Sequence, residues 1–300
     1  MSLPVTIESD ALRVELYPQF GGKVLSIVDK ADDYELMFDY AAEFPTTCQY
    51  DQPYSAAYCA GWDECFPAVA PGPYPAHPYK GISIPDHGEL WSLPTTAVPT
   101  KDGITTEWQG LRFGYRLVRA LSVIGSRLLA EYTLYNTSPF DLHFVWAMHS
   151  LSSMHQPVEI ALPRGTYRLS HDSEGKKYDS PYLWPSSPVG EDLSQPANLP
   201  SRRGWKSFSN EPINGPARVW YPSRNRSLTI EYASSDGLAA YWGLWINTGG
   251  WAGYRHFAIE PTTGRYDELD RSSKDGSAGM VAPLSKITWQ VKWSVGDTRL

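Results

Sequence analysis

Three residues stand where acid–base chemistry could be done. Glu260 closes residues 256–260, an alternating stretch with Phe257 and Ile259 on one face and His256, Ala258 and Glu260 on the other. Pro261 follows. It has no N–H to give to a ladder, so the strand is expected to end there, with Glu260 at the rim of a sheet. A carboxylate on so rigid an element can act as a general base. His149 closes residues 140–149, where Phe140, Leu142, Phe144, Trp146 and Met148 form an unbroken apolar face that must be core. Asp141, His143, Val145, Ala147 and His149 form the opposite face, and small Val145 and Ala147 leave room for a ligand beside His149. His143 lies roughly 20 Å away at the strand rise, too far to serve the same small site, and is given a structural role. His87 lies in Pro85-Asp86-His87-Gly88-Glu89-Leu90-Trp91, where the Pro and Gly mark a turn. A lone glutamate is most often a solvated surface group, and a loop histidine is as readily without a role as with one; the reading rests on the three together.

Other residues suit a polar ligand with apolar faces. Trp62-Asp63-Glu64 falls in a stretch rich in Gly, Pro and Tyr, and Trp242, Trp245 and Trp251 shortly precede Glu260. Rings stack on the C–H faces of a sugar and polar groups pair with its hydroxyls, so Trp62, Asp63, Trp91 and Trp245 are the candidate substrate contacts. The bland alternative for any tryptophan is core packing. There is no G-x-S-x-G, Walker loop, G-x-G-x-x-G or H-E-x-x-H. Residue type alone would allow His87, His149 and Glu260 to bind a metal, but no tight ligand spacing supports it, and none is expected.

Composition narrows the class. The chain has 300 residues, a formal net charge of −7 and 20% charged residues, with no basic run. That speaks against nucleic acid and anionic membranes as partners. The three cysteines, Cys48, Cys59 and Cys65, match no zinc pattern and read as reduced thiols of a cytoplasmic protein. The N-terminus has neither the basic start nor the apolar core of a signal peptide, and no apolar run reaches membrane length. Twelve Trp and 19 Tyr fit a β-rich core.

The elements that must position these residues are short strands. Residues 12–16, 23–28, 111–124, 127–136, 140–149, 158–162, 217–221, 227–233, 239–247 and 288–294 alternate or are β-rich, and Gly125-Ser126 joins two of them as a hairpin. Residues 266–274 suggest one short helix, and residues 170–216 read as long loops with at most one hairpin. The expectation is an all-β chain, a single domain over residues 1–300, built as a large antiparallel sandwich.

Four landmarks in order, Gly21-Gly22, Asp86-His87-Gly88-Glu89-Leu90-Trp91, Trp146-Ala147-Met148-His149 and Ala258-Ile259-Glu260-Pro261-Thr262-Thr263-Gly264, resemble those of the aldose 1-epimerase or galactose mutarotase-like superfamily. The resemblance implies an antiparallel β-supersandwich with the sugar in an open cleft. It implies Glu260 as general base at the anomeric hydroxyl, His149 as general acid at the ring oxygen, and His87 holding the ring side of the sugar. It implies an isomerase with no cofactor or metal, a small-molecule sugar as partner, and a monomer or homodimer. Residues 61–85 contain no arginine, unlike well-studied galactose mutarotases, and Asp63 and Glu64 are the candidates to bind hydroxyls there. Three alternatives stay open. One is a carbohydrate-binding or sensing protein on the same fold. Another is a hexose-6-phosphate 1-epimerase, with Arg202, Arg203 or Arg255 at the cleft rim. The third is a glycoside hydrolase pairing Glu260 with Asp63 or Asp267.

Overall fold

The computed structural model describes residues 4–39, 48–172 and 177–297. Two large antiparallel sheets carry the fold. The first runs Val5–Glu8, Leu12–Tyr17, Lys23–Asp29, Trp62–Cys65, Ala147–Ser153, Arg255–Thr262, Tyr241–Thr248, Gly204–Ser209, Thr166–Asp172, Lys177–Leu183. The second runs Glu159–Ala161, Ala217–Tyr221, Arg226–Ala233, Lys286–Gly296, Arg127–Asn136, Tyr115–Ile124, Gly103–Gln109, Thr96–Pro99. The fold is thus the expected all-β antiparallel sandwich. Alternation drives it: Tyr115, Leu117, Leu121 and Val123 face inward along one strand, and Leu128, Ala130, Tyr132 and Leu134 along the next. Aromatic residues fill the space between the sheets. Trp62 stacks on Trp293 with ring centroids 5.9 Å apart, and Tyr132 stacks on Trp289 at 5.2 Å. Among the described residues no helix is long and apolar enough to cross a membrane, and the one α-helix is Leu269–Lys274.

Three expectations are corrected. Residues 140–149 are not one strand. Leu142–Phe144 pairs with Gly279–Val281 in a small separate sheet, and Ala147–Ser153 joins the large sheet. Between them Val145 N–H donates to Pro67 O and Trp146 N–H to Thr263 Oγ1, so the backbone changes partners there. Phe140 is exposed rather than core. Second, residues 170–216 contribute three strands of the large sheet in part or whole, not only loops around a hairpin.

Third, Pro261 does not end its strand. Arg255–Thr262 pairs with Tyr241–Thr248 along its whole length, Trp242 opposite Pro261. Trp242 N–H turns away and donates to Ser209 Oγ. The missing N–H of Pro261 therefore falls on the other side, where the ladder to Ala147–Ser153 lapses between the Ala147/Thr262 and Leu151/Ala258 pairs. Glu260 consequently stands in the middle of a sheet, buried, rather than at its rim.

Candidate active site

Three neighbouring strands bring the acid–base candidates together. His149 lies opposite Asp63 on one side. On the other, the pairs Ala147/Thr262 and Leu151/Ala258 set a register that places His149 opposite Glu260. His149 Nε2 is 3.9 Å from Glu260 Oε1. Glu260 in turn lies opposite Gly243, where a Cβ would stand only 3.1 Å from Glu260 Oε2. Glycine there leaves the carboxylate its space.

A tight turn delivers His87. His87 and Gly88 both adopt left-handed backbone, with φ of 58° and 76°. A Cβ on Gly88 would meet Phe66 O at 2.1 Å, so only glycine lets the turn press against the end of the Trp62–Cys65 strand. Asp86 Oδ1 holds His87 Nδ1 at 2.8 Å. The His87 ring stacks on Tyr54 at 3.9 Å and meets His149 edge-on at 5.1 Å. Tyr54 OH donates to Asp63 Oδ2 at 2.6 Å, and Lys23 Nζ donates to the same oxygen at 2.8 Å. With its own proton given to a carboxylate, the Tyr54 oxygen is left to accept from His149 Nδ1–H, 3.4 Å away. The tautomer inferred from this network leaves His149 Nε2 to exchange a proton with a ligand.

The carboxylate side holds a residue that the sequence reading missed. Lys206 Nζ contacts Glu260 Oε2 and lies 3.5 Å from Asp267 Oδ1. Among the described residues Glu260 Oε1 has no hydrogen-bond partner. Burial pushes the Glu260 carboxyl pKa above its ordinary value, and the Lys206 ammonium works against that push. Burial also disfavours the Lys206 ammonium, but Asp267 and Glu260 outweigh it and raise its pKa. Burial, then the fields of His87, Lys206 and Lys23, drives the His149 pKa well below the usual imidazole value. His149 therefore holds an added proton weakly and gives it up readily.

Glu260, His149, His87 and Trp245 all line one cleft of about 330 Å³, with Tyr54, Asp86, Lys206, Asp267, Trp251 and His256 among its other walls. Trp245 Nε1–H donates to His256 Nε2 at 3.1 Å, and burial lowers the His256 pKa to about 3, so a neutral imidazole anchors the indole. The other candidate contacts lie elsewhere. Trp62 faces the inter-sheet core against Trp293 and does not reach the cleft. Glu64 also faces that core. Asp63 is buried beneath Tyr54, where it holds that hydroxyl and the Lys23 ammonium. Trp91 packs edge-on behind Tyr54 and donates to Asp86 O, which braces the His87 turn from below. Trp242 is core. His143 is remote, its backbone N–H and C=O bonded to Tyr74 OH. The missed residues are Lys206 and Tyr54; Asp267, considered as a second carboxylate for Glu260, lies instead on Lys206. One signal for Lys206 was available: it is the only charge in the β-like run Trp205-Lys206-Ser207-Phe208.

Among the described residues, one group of ligand-type atoms converges, from Cys65, His87 and His149, within 4.8 Å of one another. Burial raises the Cys65 thiol pKa well above its usual value, and the Lys206 ammonium stands nearby, so the set is poor for a cation. We assign these residues no ligand role.

The sequence matches no protein-family model and no curated protein. Solved structures do match it. The Slr1438 protein of Synechocystis is 17% identical, with a TM-score of 0.74 over 99% of this chain and 97% of that one. A galactose mutarotase-like protein from Lactobacillus casei is 14% identical, with a TM-score of 0.71 over 98% and 100%. The GalM/aldose epimerase homologue of C. elegans is 11% identical, with a TM-score of 0.68 over the whole of both chains. The chain therefore has the fold of the galactose mutarotase-like proteins.

Proposed function

We propose that the protein is an aldose 1-epimerase acting on an unphosphorylated hexose. The observation that carries this reading is the 3.9 Å approach of His149 Nε2 to Glu260 Oε1 at the floor of one cleft, with Oε1 otherwise unpartnered. Ring opening needs a base at the anomeric hydroxyl and an acid at the ring oxygen, two atoms bonded to the same carbon, so acid and base must converge within one small ligand. Glu260 Oε1 takes the hydroxyl proton. His149 Nε2 delivers a proton to the ring oxygen as the C1–O5 bond breaks, giving the open-chain aldehyde. Rotation about C1–C2 and the reverse proton transfers close the other anomer. His87, steered by Asp86, and Trp245, anchored by His256, hold the sugar.

The cleft favours a free sugar. Asp86, Asp267 and Glu260 line it against the single ammonium of Lys206, and neither Arg202, Arg203 nor Arg255 is among its described walls. A phosphate would enter a field of its own sign. A glycoside hydrolase would set a second carboxylate across from Glu260. The group facing it is His149, and Asp267 shares Lys206 with Glu260 instead.

The test is anomer exchange followed by NMR across free and 6-phosphorylated hexoses. Acceleration that is selective for a free hexose and lost in Glu260→Gln and His149→Ala supports the reading. Sugar binding without acceleration by the wild type replaces it with a binding protein.

A further inference from the structure

Lys206 is buried, and its ammonium is shared between two carboxylates. A buried ion pair is poor evidence for stability, because apolar residues of similar volume hold a core as well. This pair stands in the wall of the cleft, and it engages only one oxygen of Glu260. We propose that Lys206 is a positioning residue for the base: it clamps Oε2, leaves Oε1 aimed at the ligand, and keeps Glu260 charged in surroundings that would otherwise protonate it. Asp267 holds the lysine in that place. The inference rests on the reading of Glu260 as the base.

The groups facing Glu260 come from several elements. Lys206 comes from Gly204–Ser209, Asp267 from the segment after the Glu260 strand, His149 from Ala147–Ser153, Cys65 from Trp62–Cys65, and His87 from its turn. Among them Lys206 is the permanent cation. Asp267 acts in the opposite direction on Glu260, since its negative charge favours the protonated carboxyl. The two neighbours therefore predict shifts of opposite sign.

The experiment labels glutamate carboxyls with 13C and assigns Glu260 by the resonance lost in Glu260→Gln. Its titration is then followed in the wild type, Lys206→Met and Asp267→Asn, alongside the pH profile of kcat/KM for hexose anomer exchange. In Lys206→Met the midpoint is expected to rise by about one to three pH units. The activity profile should move toward higher pH with it, and activity near pH 6 should fall about tenfold or more. In Asp267→Asn the midpoint should fall. An unmoved midpoint in either variant, with activity scaled equally at every pH, overturns the proposal and leaves Lys206 a structural residue. Should Lys206→Met not fold, Lys206→Gln, which keeps an N–H for Oε2 and removes the charge, takes its place, and an unmoved midpoint there overturns the proposal equally. A wild type that accelerates no hexose, yet shows both midpoint shifts, sinks the epimerase reading and leaves the control of Glu260 by Lys206 standing.

Discussion

Glu64 is the buried residue whose loss should be felt most. Its Oε1 accepts from Trp62 Nε1 at 3.0 Å, Arg119 Nη1 at 2.8 Å and Tyr132 OH at 2.9 Å, and its Oε2 accepts from Trp146 Nε1 at 2.8 Å. Four donors and no acceptor face it, so the group is a carboxylate. Trp62 and Trp146 belong to the layer of the large sheet, Tyr132 and Arg119 to the second, and Glu64 ties the two together directly beneath the site. In Glu64→Gln one oxygen becomes an amide nitrogen that only donates. In its better orientation that nitrogen faces Trp146 Nε1–H and leaves one buried donor unsatisfied, about 1–3 kcal/mol. The buried Arg119 also loses its countercharge, a change that costs about 3–5 kcal/mol when such pairs are broken. The expected destabilisation is about 4 kcal/mol or more, a large part of a total of roughly 5–15 kcal/mol. Urea unfolding followed by tryptophan fluorescence measures it, and Glu64→Gln/Arg119→Met should recover part of the loss relative to the sum of the single variants. A Glu64→Gln protein within about 1 kcal/mol of wild type would refute the reasoning, because the carboxylate would then not be what joins the sheets.

Three further outcomes follow from the site. The pH optimum of kcat/KM should lie on the acid side of neutrality. Glu260 must be deprotonated although burial raises its pKa, whereas His149 must be protonated although burial and the neighbouring cations hold its pKa well below the ordinary imidazole value. The pair as a unit must carry one proton whichever member holds it, so an alkaline optimum in a pH–rate profile would exclude His149 as the acid. Trp245→Ala should raise KM with little change in stability, while Trp62→Ala should cost about 3–5 kcal/mol in unfolding because it opens a hole against Trp293; paired kinetic and urea measurements separate the two. Finally, kcat/KM for a hexose 6-phosphate should be at least about tenfold below that for the free sugar at low salt, and the gap should narrow as salt screens the cleft; a preference for the phosphate would show that the acidic walls do not set selectivity.

What the sequence made legible was whatever one strand carries by itself. Alternation along residues 127–136 names the inward face before any partner is known, and the face shared by His256, Ala258 and Glu260 is the one that meets the cleft. Proline misled where its meaning depends on the neighbour. Pro261 reads as a terminator, yet a non-donating residue is tolerated in a central strand when the adjoining ladder lapses on that side. The Trp-Asp-Glu run shows the same limit. Trp62 and Glu64 share one face and Asp63 takes the other, as alternation requires, but only the position of the second sheet decides that the first face is core and that Asp63 lies beneath Tyr54.

That Lys206 would meet Glu260 was out of reach for a stronger reason. Its strand is two strands from that of Glu260, with Tyr241–Thr248 between them, and the registers that bring them together are set by pairings of Lys206 with Trp245 and Gly243 with Glu260. Lys206 and Glu260 are not opposite one another. The ammonium reaches Oε2 across the intervening strand, and Gly243, opposite Glu260, adds no side chain beside that oxygen. A test of this account is Gly243→Ala. The added methyl would lie 3.1 Å from Glu260 Oε2, tighter than ordinary van der Waals contact, in a position whose backbone an alanine can adopt. Oε2, the oxygen that Lys206 holds, must then give by a few tenths of an ångström, so the variant should lose activity while remaining folded. If it keeps wild-type kcat/KM and pH profile, the space that Gly243 leaves beside Oε2 is not what the base depends on.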